Sequence, residues 1–131
     1  MMGKASRQVT VAKEKLLVWD PDVLFLDLST LQLEGKASGL WEIGHDPALQ
    51  ALTAVQEGKV YGVLPYNWYT INYGSILANA YFIGKILYPE CFRDVNPTAK
   101  ADEIYEFLVG KPVFREMNAH FNDMALKRIL E

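Results

Sequence analysis

The chain has 131 residues, of which 50% are hydrophobic and 22% charged, and its formal net charge is −3. That is one domain's length with ample material for a core, which excludes intrinsic disorder, and the acidic balance offers no basic footprint for nucleic acid. No stretch reaches the roughly 18 uncharged apolar residues of a membrane span, and the opening Met1-Met2-Gly3-Lys4-Ala5-Ser6-Arg7-Gln8 carries positive charge with no apolar segment behind it, unlike a secretory signal. Residues 1–5 are expected to be disordered or a cloning remnant, and the doubled methionine also fits a truncated reading frame.

In chain order, Thr10 is expected to cap a helix over 11–19, with Ala12, Leu16 and Trp19 inward. Asp20-Pro21 ends it, because proline disfavours the helical region for the residue before it. Val23-Leu24-Phe25-Leu26-Asp27 is a continuous apolar run, the pattern of a strand covered on both faces. Residues 28–46 are punctuated by Gly35, Gly39 and Gly44, yet carry Leu31, Leu33, Leu40, Trp41 and Ile43. They predict a long folded-back loop with a short helix near Leu40.

Asp46 caps the next helix, Pro47 takes its first position and Gly58 terminates it. Leu49, Leu52 and Val55 form its apolar face. Val60 to Leu64 reads as a buried central strand stopped by Pro65. Then come Tyr66, Asn67, Trp68 and Tyr69, which combine ring faces with polar tips, before an apolar helix over 75–88. A helix apolar almost all round is buried or packed on another protein surface. Ligands of α/β sheets sit outside the carboxyl ends of the strands, so this aromatic loop is the first place to look for a site. The same rings serve equally well as core or rim packing.

Asn96-Pro97-Thr98 opens a helix over 99–109, with Ile104, Phe107 and Leu108 inward and Gly110 at its C-cap. Lys111-Pro112 precedes a last short helix carrying Val113, Phe114, Met117 and Phe121. The tail 122–131 is expected to fray. Two clear strands are too few for a stable open sheet, so a third is expected within 28–43 or before Ser6.

Chemistry-bearing patterns are sparse. Cys91 is the single cysteine, which leaves no internal disulfide and no CxxC site. His45 and His120 lie far apart with no metal-ligand spacing. There is no GxGxxG, Walker A or GxSxG pattern. No metal site, cofactor or catalytic residue is expected, and the reading is of a non-catalytic chain.

Several segments together resemble the C-terminal lobe of class III periplasmic substrate-binding proteins, which serve ABC importers of iron complexes, siderophores, haem and cobalamin. They are Val11-Ala12-Lys13-Glu14-Lys15-Leu16-Leu17 running into Trp19-Asp20-Pro21-Asp22-Val23-Leu24-Phe25, then Asp46-Pro47-Ala48-Leu49-Gln50-Ala51-Leu52, and Gly58-Lys59-Val60-Tyr61. The segments 78–89 and 101–108 look like the iron-complex branch. Each motif is short; their order and spacing carry the match across about residues 6–121.

The resemblance implies an α/β, three-layer Rossmann-like lobe with a mostly parallel sheet and helices on both faces. Residues 1–131 would be one domain, the second half of a two-lobed protein that is periplasmic, or extracellular and membrane-anchored. Its ligand would be a metal chelate shared with an N-terminal lobe. Tyr66, Asn67, Trp68 and Tyr69 would face the cleft, with Ser29 and Thr30 as further candidates. Glu14 would dock on the permease, and the isolated lobe would form a homodimer. The alternative is a small flavodoxin-like regulator or enzyme whose Asp20, Asp22 and Asp27 hold Mg²⁺ or accept a phosphoryl group. Against it, Asp20 and Asp22 flank a turn-forming proline.

Overall fold

The computed structural model describes residues 11–32, 38–67 and 70–130. Trp68 and Tyr69, and the expected cap Thr10, lie outside that set. The fold is α/β, with a three-stranded mixed sheet in the order β1-β2-β3. β1 (Leu24–Asp27) and β2 (Val60–Val63) pair in parallel, from Leu24 opposite Val60 to Asp27 opposite Val63. β3 (Lys127–Arg128) pairs with β2 antiparallel, Arg128 opposite Tyr61.

The third strand therefore comes from the tail that was expected to fray. Lys127 and Arg128 are both exposed and carry no apolar signature, so nothing in the local pattern marks them. The pairing is supplied by β2: Leu126 N–H donates to the Gly62 carbonyl and Ile129 N–H to that of Val60, both at 2.9 Å. Ala125 and Leu126 bury beside them. Gly62 makes the approach feasible, because a Cβ there would fall 2.3 Å from the Met124 carbonyl oxygen.

The helices begin where side-chain oxygens can hold free amides. Asp46 Oδ1 accepts the Ala48 N–H at 2.9 Å at the start of α3 (Pro47–Gln50). Asn96 Oδ1 accepts the Ala99 N–H at 3.2 Å at the start of α6 (Pro97–Val109), where each such cap contributes about 1 kcal/mol. Gly110 ends α6 at φ +82° and Gly58 enters β2 at φ +68°, a region glycine occupies without steric cost. The helix expected after Asp46 is broken into α3 and α4 (Thr53–Gln56), because Leu52 between them takes extended backbone. The loop expected over 28–46 is more ordered than its glycines imply. Leu28–Gln32 forms a 3₁₀ turn and Gly39–His45 forms α2, with no strand among the described residues of this stretch.

Two inward stripes need correction. In α1 (Lys13–Trp19) no residue is buried, and Trp19 is 58% exposed, its ring covered by the Lys15 ammonium at 5.8 Å. In α6 the buried positions are Ala101 and Tyr105, while Phe107 is 88% exposed. Phe107 stands two positions beyond Tyr105, about 200° around the helix, so both cannot face the core.

α5 (Tyr73–Leu87) and α6 pack as the main helical pair, followed by α7 (Phe114–Ala119). Leu28, Leu64, Phe82, Phe114, Phe121 and Leu126 belong to the principal core. The strand β1 is only partly buried along its length, short of the two-sided cover its apolar run implies. No helix among the described residues is long and apolar enough to cross a membrane.

Candidate functional site

Because Asp27 and Val63 are register partners in a parallel pair, whatever follows each strand emerges at the same sheet edge. After β1 the Asp27 carboxylate accepts the Ser29 N–H at 2.9 Å and starts the 3₁₀ turn. After β2, Leu64 and Pro65 are buried and then Tyr66 and Asn67 turn out to solvent, Tyr66 with 41% of its surface exposed.

That exit is anchored by Asn79 of α5, itself 7% exposed. Its amide embraces one residue: Nδ2 donates to the Leu64 carbonyl and Oδ1 accepts the Leu64 N–H, both at 2.8 Å. Leu64 has left the ladder, so without Asn79 both backbone groups would be buried and unpaired. The loop closes again where Asn72 N–H donates to the Tyr66 carbonyl at 2.7 Å. Tyr66 and Asn67 thus project from a short excursion fixed at both ends. Tyr66 borders an apolar hollow of about 360 Å³ with Val63, Ile76, Ala80 and Ile83.

A larger hollow of about 500 Å³ opens beside the same loop, between the first turn of α5, the end of α6 and α7. Among its wall residues are Pro65, Ile71, Leu108 and Val109, and two buried hydroxyls, Ser75 and Tyr105, meet within it at 2.7 Å. Burial pushes the Tyr105 phenol above its ordinary pKa, partly countered by the Ser75 hydrogen bond.

Ser29 and Thr30 share the sheet edge with Tyr66 and Asn67, but no hydrogen bond among the described residues joins the two groups. Thr30 Oγ1 is buried without a hydrogen-bond partner there. Asn79 and Ser75 were not singled out by the sequence pattern. Their signal is that both are polar residues facing inward from an otherwise apolar helix.

The three aspartates do not assemble into a common pocket. Asp20 accepts the Thr53 N–H at 2.8 Å and the Thr53 hydroxyl, capping α4 from across the chain, and these bonds hold its carboxyl below the usual range. Asp27 is engaged with Ser29. Among the described residues there is no group of three His, Cys, Asp or Glu that could hold a metal ion. His45 stacks on Trp41 with ring centroids 4.4 Å apart, while His120 and Cys91 are exposed elsewhere. Glu14 is exposed in the first turn of α1. Among the described residues, what the aromatic loop offers at this edge is one phenol ring with its hydroxyl tip, Tyr66, and one neutral amide, Asn67. No protein-family model matches the chain, and no curated protein matches it.

Proposed function

We propose that the chain is a ligand-binding lobe of a substrate-binding protein for an ABC importer, holding an iron chelate such as a ferric siderophore or haem against a second lobe. The observation that carries this reading is the pinned exit from β2, which presents Tyr66 and Asn67 at the carboxyl edge of the parallel pair. Rings stack on planar chelate or macrocycle groups, and amide and phenol tips bond to oxygens at the chelate's periphery. A Rossmann-like layering fits as well. Leu24, Phe25 and Leu26 line a hollow with Leu16, Ile43 and Leu49, and the rings of Phe25 and Tyr61 also pack against Phe82 of α5.

One lobe supplies about half the contacts of a closed cleft, so the affinity of this chain alone is expected to be weak. Every 1.4 kcal/mol lost weakens binding tenfold. Titration of haemin and of ferric catecholate and hydroxamate chelates, followed by tyrosine and tryptophan fluorescence, should give dissociation constants in the high micromolar range or weaker. Tyr66→Ala should weaken the best of them further. Restoring a complementary lobe should tighten it by orders of magnitude. Saturable turnover of any substrate, or chelate binding indifferent to both Tyr66 and the second lobe, would sink the proposal.

A further inference from the structure

We propose that the hollow between α5, α6 and α7 is a binding site for a small apolar molecule bearing one acceptor oxygen, such as an aryl ketone or aldehyde. Ser75 and Tyr105 bring two hydroxyls, and hence two hydrogens, to one bond of 2.7 Å. Whichever donates, the other keeps a hydrogen with no acceptor among the described residues, where neither side chain makes another hydrogen bond. Both residues are more than nine-tenths buried, Ser75 at 3% and Tyr105 at 7% exposure, so that hydrogen is presented from the floor rather than the rim. A donor with no partner in apolar surroundings favours an acceptor that can reach it.

The rest of the hollow fits the same class. Its volume of about 500 Å³ lies in the range of small-molecule sites, and its walls at Pro65, Ile71, Leu108 and Val109 are apolar. No charged side chain lines it, which disfavours ions. Tyr105 is held in place from behind: a Cβ on Gly74 would fall 2.8 Å from its ring, so the helices meet there with no slack. Its raised pKa keeps the phenol protonated, and therefore a donor, at neutral pH.

This site stands apart from the chelate reading, since neither Tyr66 nor Asn67 lines it and no chelate is needed to test it. The test compares 2-acetylnaphthalene with 2-ethylnaphthalene, which share a ring system and differ in the carbonyl. Both are titrated by NMR into the full chain and into the double variant Ser75→Ala/Tyr105→Phe. Either single variant would leave one donor in place; the double variant removes both and strands neither, a change close to neutral for folding. The ketone is expected to lose about three- to tenfold in affinity in the double variant while the hydrocarbon changes less than twofold. Val109→Trp, on the outer wall, should weaken both. Absence of saturable binding, equal losses for the two probes, or indifference to both variants would overturn the proposal. Should the double variant not fold, the unmodified chain decides by the carbonyl stretch of the bound ketone. A lowered frequency supports the site, and the value found in alkane overturns it.

Discussion

Asn79 shows how much one side chain can settle. In an apolar helix an amide is an unfavourable guest, yet here its two ends satisfy both backbone groups of Leu64 at the point where the chain leaves the ladder. Replacing it with alanine would strand a buried N–H and a buried C=O and lose two bonds. The expected cost is about 2–4 kcal/mol of unfolding free energy, read from urea denaturation. Asn79→Asp keeps an acceptor for the N–H but sets a buried carboxylate against the Leu64 carbonyl oxygen, so at neutral pH it should be no milder than alanine. A loss under about 0.5 kcal/mol for Asn79→Ala would mean that Leu64 finds other partners and that the loop is not held from α5.

At the level of elements, β3 depends on Arg128 as much as on its ladder. The guanidinium donates to the carbonyls of Gly58 and Glu57, tying the tail to the end of α4. A cation there also faces the negative end of that short helix. Arg128→Ala is expected to cost about 1 kcal/mol, moderated by partial exposure. Hydrogen exchange should show faster loss of the Leu126 and Ile129 amides, with the β1–β2 amides unchanged. Equal protection in the variant would mean that the ladder alone holds β3.

The same contrast explains what could be read in advance. Asp46-Pro47, Asn96-Pro97, Gly58 and Gly110 declare their roles because caps and positive φ are local chemistry. The apolar run at β2 and its stop at Pro65 were legible for the same reason, whereas the sequence left open whether Tyr66 packs inside or, as found, turns to solvent. β3 was not, because two charged residues become a strand only through a partner far back in the chain. Nor was the Ser75–Tyr105 pair, which joins α5 to α6 and has no signature at either end. Trp19 and Phe107 misled for a third reason: aromatic rings imply burial, but helix phase decides which way they point.

For the whole molecule, exposed apolar residues lie on α1, at the far end of α5 and, in greatest number, where the start of α5 meets the end of α6. Tyr73 is 67% exposed, Val109 62% and Phe107 88%, and Ile71, Leu77 and Leu108 are all exposed as well. Apolar surface of this kind favours covering by another protein surface. At about 25 cal/mol per Å², several hundred Å² would contribute several kcal/mol before the entropy of association. A dimer is therefore expected at micromolar concentrations and above, seen by analytical ultracentrifugation, and Phe107→Glu should shift it toward monomer. A chain that sediments as a monomer throughout that range would show that this end is tolerated in water.

The placement of β3 also bears on how the protein is made. Synthesis runs from the amino end, so β1 and β2 emerge and can pair while residues 124–129 are still unmade. At about 5–20 residues per second, the second edge of β2 then waits several seconds for its partner. During that interval Val60 and Gly62 offer open carbonyls to any passing strand, and Leu28 and Leu64 lack the cover that Leu126 later gives. A ribosome paused between Gly110 and Met124 would hold the chain in its most adhesive form. Slower translation of that short stretch is therefore expected to lengthen the exposure of this edge and to raise the chain's demand for a chaperone.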